Sequence, residues 1–152
     1  MPGVYTVRLK ANGKVYMQQL TVRMDPRVKT PLAALQQQHD LALQAYHGRE
    51  QAMASMEKAH ALRAKVAGNA ALEAQLAALE GSGGRRGRGG AAPAGNGVHS
   101  FSQLANDFAG IFGILEEADM PPTEQTISDL QTTIKAAAAT NAAWQQLQKQ
   151  VQ

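Results

Sequence analysis

The sequence predicts a mainly α protein in which an N-terminal β-hairpin is followed by an antiparallel three- to four-helix bundle. Three observations carry this. Apolar and polar residues alternate on both sides of Asn12-Gly13, the period-two signature of a two-stranded ribbon. From Pro31 onward apolar residues recur at three- and four-residue steps, the spacing of a helical face. Gly68-Asn69, the Gly-rich stretch 81–97 and Pro121-Pro122 then cut that region into segments able to fold back on one another.

The hairpin runs from Val4 to Lys10 and from Val15 to Met24. Tyr5, Val7 and Leu9 share one face, and Thr6, Arg8 and Lys10 the other. A two-residue type I′ turn at Asn12-Gly13, with φ > 0 at both central residues, sets Leu9 opposite Tyr16, Val7 opposite Gln18 and Tyr5 opposite Leu20. Only Gln18 interrupts the apolar face. An isolated ribbon is marginal in water, so this face wants a cover. Pro2-Gly3-Val4-Tyr5-Thr6-Val7 reads as the start of the penultimate strand of an immunoglobulin- or fibronectin-like sandwich, with Tyr5 as the corner tyrosine. Residues 1–28 would then be the last two strands of such a sandwich, with their partners upstream. The other reading is a short ribbon packed on the helices that follow.

Asp25-Pro26-Arg27-Val28 ends the strand, because proline cannot donate to a ladder. Thr30-Pro31 supplies an N-cap and a first-turn proline. Residues 29–80 should hold one long helix from Pro31 to about Val66, with Leu32, Leu35, Ala42, Leu43, Tyr46, Met53 and Met56 on roughly one face, and a shorter helix from Ala70 to Glu80. Gly48 in mid-helix costs about 1 kcal/mol relative to alanine and invites a bend there. Residues 81–99 form a Gly/Arg-rich segment that cannot bury enough apolar surface to offset its conformational entropy and reads as a disordered loop. Residues 100–152 read as a helical hairpin. After Ser100, Phe101, Leu104, Phe108, Ile111, Leu115 and Ala118 make a narrow seam. Past Pro121-Pro122, with Thr123 as N-cap, Ile127, Leu130, Ile134, Ala137, Asn141 and Trp144 make a second, extended by Leu147 and Val151.

The composition narrows function more by exclusion than by pointing. Hydrophobic residues make up 44% of the chain, but aromatics only 5%, so the core should be thin. The net charge of +3 is mild, and Arg85, Arg86 and Arg88 supply much of it from one loop without an interleaved aromatic. Such a tract reads as a solubilising linker rather than an RNA-binding one. There is no cysteine, hence no disulfide and no thiolate metal site. The longest apolar run, Phe108 to Leu115, is far too short to span a bilayer. Glu57-Lys58-Ala59-His60 has the Glu-x-x-His spacing of di-iron bundles, but no second such motif or further carboxylate pair accompanies it, and it reads as a solvated helix face. His39, His47, His60 and His99 stand without metal-ligand spacing. Ser100 and Ser102 lack a nucleophile elbow, and the Gly-rich tract follows a helix and lacks the lysine of a phosphate loop.

Pro2-Gly3-Val4-Tyr5-Thr6-Val7-Arg8-Leu9, then Gly13-Lys14, then Leu20-Thr21-Val22-Arg23-Met24-Asp25-Pro26-Arg27-Val28 before a long helix, resembles the C-terminal region of bacterial BNR-repeat, sortilin-like β-propeller proteins labelled glycosyl hydrolases. Leu115-Glu116-Glu117-Ala118-Asp119, Pro122-Thr123 and a last helix bearing Trp144 are similar to the end of those proteins. The resemblance implies a secreted or envelope parent with propeller blades and a small β-sandwich upstream of this helical tail. It carries no catalytic residue onto this chain, since the Asp-box pattern Ser-x-Asp-x-Gly-x-Thr-Trp does not occur here. The expectation is therefore a noncatalytic accessory region without cofactor, whose partners are the propeller and sandwich of the parent. Tyr5, Val7, Leu20 and Val22 would pack in the sandwich, and Leu104, Phe108, Ile111, Leu130, Ile134 and Trp144 in the bundle. The alternative is a self-contained helical interaction protein forming homo-oligomers through the Phe101 to Val151 hairpin. For an enzyme acting by itself, the expectation is no turnover on aryl glycosides.

Overall fold

A computed structural model describes residues 2–81 and 98–151. Two strands, β1 (Gly3–Ala11) and β2 (Lys14–Val22), precede four helices, α1 (Leu32–Lys65), α2 (Ala70–Glu80), α3 (Phe101–Glu116) and α4 (Glu124–Val151). The expected mainly helical fold with an N-terminal antiparallel hairpin is the observed one. Arg85, Arg86 and Arg88, with the rest of the Gly/Arg-rich segment up to Gly97, lie outside the described residues.

The ribbon has the register that its turn dictates: Leu9 faces Tyr16, Val7 faces Gln18 and Tyr5 faces Leu20. Asn12 and Gly13 both have positive φ, 49° and 74°, as a type I′ turn requires. No helix packs on either strand, and every residue from Gly3 to Val22 is exposed. A ribbon resting on the following helices is thus not what forms.

The helices stand in three columns. Helix α1, 34 residues and about 51 Å long, makes its most extensive contact with α3. The two run antiparallel, since Gln38 near the start of α1 meets Leu115 and Ala118 at the end of α3, while Gly48 lies against Phe108. Helix α2 packs beside the far half of α1, where Arg63 binds Glu80. Its end at Gly81 abuts Ser100, where α3 begins. Helices α2 and α3 therefore form one interrupted column against α1, and α4 makes the third. Caps punctuate these columns: Asn69 accepts the Leu72 N–H at 3.2 Å, Ser100 the Gln103 N–H at 3.2 Å and Thr123 the Thr126 N–H at 3.1 Å. Gly81 has φ +78°, and a Cβ there would lie 2.7 Å from the Ser100 Cβ, so only glycine fits this junction.

Three expectations need correction. Thr30 does not cap α1. The helix starts after Pro31 without a side-chain cap, and the Thr30 hydroxyl instead donates to the Asp119 carbonyl at 2.6 Å, tying the entry of α1 to the α3–α4 turn. Gly48 lies within the uninterrupted helix α1, where it lets the Phe108 ring approach. The buried face of α1 is Leu35, Gln38, Ala42, Ala45, Ala52 and Ala59, not the larger side chains, because the bulky seam of α3 occupies the shared space. Leu32, Leu43 and Tyr46 remain exposed. Last, the inward side of α4 carries Thr126, Leu130, Ala136, Thr140, Trp144 and Leu147. Ile134 is consequently 41% exposed rather than in the core.

Candidate functional site

The sequence-predicted packing residues fall into two separate sets. Tyr5, Val7, Leu20 and Val22 share one ribbon face and are 43, 50, 52 and 40% exposed. Leu9 and Tyr16 extend the same face and are also open. Arg8, Lys10 and Lys14 on the ribbon and Arg23 just past it are cationic, and none of residues 3–23 is acidic. By contrast Leu104, Phe108, Ile111, Leu130 and Trp144 are buried together in one core, with Trp144 edge-on to Phe101 at 6.1 Å between centroids. These seam residues pack against one another within the chain.

At the root of the ribbon a cleft of about 500 Å³ lies between Val22, Met24 and Asp25 on one side and Gln38, His39 and Leu115 on the other. Asp25 there is held below the usual carboxylate range by Arg27, whose guanidinium approaches at 2.7 Å and whose backbone N–H donates at 2.9 Å. This local clasp shapes the turn out of β2. Gln38 is buried, and its amide donates to the carbonyls of Leu115 and Ala118. It thereby satisfies acceptors that the end of α3 would otherwise leave orphaned.

Two polar clusters were not visible in the sequence. Glu80 has a side chain only 10% exposed; its Oε2 accepts from Arg63 at 2.8 Å and lies 3.6 Å from His60 Nδ1. His60 of the Glu-x-x-His spacing therefore faces an acid on another helix, while Glu57 points to solvent. Among the described residues no group of three or more His, Asp or Glu side chains is placed to hold a metal ion. The second cluster joins α3 to α4. Fully buried Thr140 accepts the His99 N–H at 3.0 Å and lies within donating distance of the His99 and Ala136 carbonyls, 2.9 and 3.0 Å. The imidazole of His99 stands 3.8 Å from Asp107. Burial pushes the Asp107 carboxyl up, and His99 partly opposes it.

A third feature is a slot of about 400 Å³ between α1 and α4, floored by Phe101, Leu104 and Phe108 of α3. Ile134, the seam residue that sequence reasoning misplaced, stands on its wall. The chain matches no family model, and comparison with curated proteins and with solved structures found no match. Apolar side chains stand open along the ribbon face and, on the slot wall, at Ile134. No described helix is long and apolar enough to cross a membrane.

Proposed function

We propose that this chain is a noncatalytic accessory region whose hairpin completes a β-sandwich in the body to which it belongs, with the helical bundle as a rigid terminal block. On this reading the parent is a BNR-repeat, sortilin-like propeller protein, and the upstream propeller and sandwich are its partners. The observation that carries the reading is a regular ribbon with nine cross-strand pairs that no helix covers and whose apolar face is open along its length.

The size of that face favours a covalently continuous partner over a separate one. Nine residues at about 3.4 Å and two strands at about 4.8 Å give roughly 300 Å². Stable association between separate proteins takes about 800 Å² from each side. A sheet already tied to the ribbon by the chain loses no translational freedom on packing, so a smaller face suffices. Either strand edge can add main-chain hydrogen bonds to the same contact.

The test is to read the DNA upstream of the first codon in all frames. The expected result is an in-frame or frameshifted continuation encoding β-rich blades and the remaining sandwich strands. A stop codon followed by a ribosome-binding site, with no such blades, overturns the reading.

A further inference from the structure

We propose that the tip of the ribbon, residues 8–17, is a docking site for an anionic lipid bilayer surface. This goes beyond the sandwich reading and is independent of it, because Tyr5, Val7, Leu20 and Val22 lie on the rows toward the root.

Apolar side chains stand open on both faces of the tip. Leu9 and Tyr16 pair on one face, while Val15, across from Lys10, and Met17, across from Arg8, project from the other. All four are exposed. A sheet packed on the ribbon covers one face and leaves the other in water. A surface into which the tip dips covers both, so this distribution favours a bilayer over a second sheet.

Charge supplies the second argument. Arg8, Lys10 and Lys14 sit on the last four cross-strand rows with no acid among residues 3–23, whereas helices α1 to α4 carry more acidic than basic residues. An anionic surface therefore attracts this end of the chain and repels the bundle. Eight residue steps separate Gly3 from Ala11 along β1, which puts the tip about 27 Å from the root, where Glu116, Glu117 and Asp119 line the cleft. At physiological salt such fields fade over about 8 Å, so these acids do not cancel the attraction at the tip. Cations interleaved with leucine, valine and methionine also argue against a simple polyanion. Nucleic acid would engage the charges and leave the apolar side chains in water, while a bilayer offers phosphates above and hydrocarbon below.

The depth agrees with the same surface. The rows from Arg8↔Met17 to Ala11↔Lys14 span about 10 Å, against about 5–10 Å for amphipathic segments buried at the boundary of headgroups and acyl chains. Tyr16 is of the aromatic type enriched at that level. The outer strand edges carry backbone groups that headgroup water satisfies and hydrocarbon would not. The tip thus enters the interface and stops there.

The experiment sediments the full chain with vesicles of phosphatidylcholine alone and of equal parts phosphatidylcholine and phosphatidylserine. The expected result is binding to the mixed vesicles that weakens as salt rises, with much weaker binding to the neutral ones. Lys10→Gln with Lys14→Gln should lower the partition coefficient about thirtyfold, at about fivefold for each cation. Leu9→Gln with Met17→Gln should lower it about tenfold or more. No helix packs on the strands, so both pairs leave the bundle folded. Lys135→Gln with Lys149→Gln removes the same charge from exposed positions of α4 and should leave binding unchanged. The proposal is overturned if the chain does not sediment with the mixed vesicles at low salt, or if the Lys10 and α4 pairs weaken binding equally. It is also overturned if the Leu9 and Met17 pair leaves binding unchanged, the behaviour of a polyanion site held by charge alone. Tip variants that abolish pairing of the chain with itself in the absence of lipid would assign the tip to a second copy instead.

Discussion

Gly48→Ala puts the α1–α3 contact to a test of sign. Glycine inside a helix costs about 1 kcal/mol relative to alanine, so helix propensity alone makes this substitution stabilising. The structure reverses that. An added Cβ would lie 2.5 Å from Cζ of Phe108, 2.6 Å from Cε1 and 2.8 Å from Cε2, where carbon atoms prefer about 3.5–4 Å. Ring or helix must therefore shift by roughly 1 Å. Phe108 is 1% exposed and has no route to solvent, so the overpacking costs about 1–3 kcal/mol. After the propensity gain the net is a loss of about 1 kcal/mol, a fall in Tm of about 2–4 °C for a chain of this size. Gly110 and Gly113 on α3 are matched controls, because a Cβ at either meets nothing within 4 Å. Gly110→Ala and Gly113→Ala should each raise stability by about 0.5–1 kcal/mol. Urea denaturation followed by far-UV circular dichroism measures all three, with an unchanged m-value showing that only stability moved. If Gly48→Ala is stabilised as much as Gly110→Ala, the close approach of Phe108 is refuted.

Deleting residues 2–24 should leave helicity and Tm of the bundle unchanged within about 2 °C, since no helix packs on the strands; a loss of helicity on circular dichroism would contradict this. Arg63→Ala should cost about 2 kcal/mol because it strands the buried Glu80 carboxylate, whereas Glu80→Leu should cost much less; equal losses in denaturant titration would show that the pair carries no such asymmetry. Thr140→Val should cost about 1–3 kcal/mol by unpairing the His99 backbone, and Thr140→Ser should recover most of it in the same measurement. Asp107 is raised by burial, so its contribution to stability is full below the ordinary carboxylate pKa and is lost as pH rises through the raised value. Asp107→Asn should accordingly be slightly more stable than the parent at pH 7 and lose that advantage near pH 3; the effect is small because much of the carboxylate stays in water. Thermal melts across that range check the sign.

Local signals in this chain are strong, and the features they govern were legible. Asn12-Gly13 with flanking alternation determines a register with no competing turn nearby, and Asn69, Ser100 and Thr123 are caps whose hydroxyl or amide has an obvious N–H to accept. Packing partners are a different matter. On α1 both an alanine face and a leucine-tyrosine-methionine face are available, and the hydrophobic scale favours the latter; what decides is the size of the facing α3 side chains, which no single helix reveals. Glu80 illustrates the same limit, because it reads as an ordinary helix-end acid until Arg63 and His60 arrive from another helix.

The misplacement of Ile134 ties this limit to the slot. A seam over Ile127, Ile134 and Asn141 would bury Ile134, which at 41% exposed forgoes about 1 kcal/mol. Two polar anchors outweigh that. Thr126 is held at the cap, with its N–H on Thr123 Oγ1 at 3.1 Å and the two hydroxyls 2.8 Å apart. Thr140 satisfies both backbone groups of His99 at the mouth of α3, groups that would cost about 1–3 kcal/mol each if buried unpaired. Anchored near both ends, α4 turns its isoleucines aside and presents Ala137 toward Phe101, Leu104 and Phe108. On the opposite wall α1 brings Gly48 and Ala52, which the tight contact with Phe108 requires. Of the apolar wall residues only Ile134 is then larger than alanine. The slot is thus the consequence of two separate demands, close packing of α1 on α3 and polar anchoring of α4, and enlarging either wall residue to fill it would have to violate one of them.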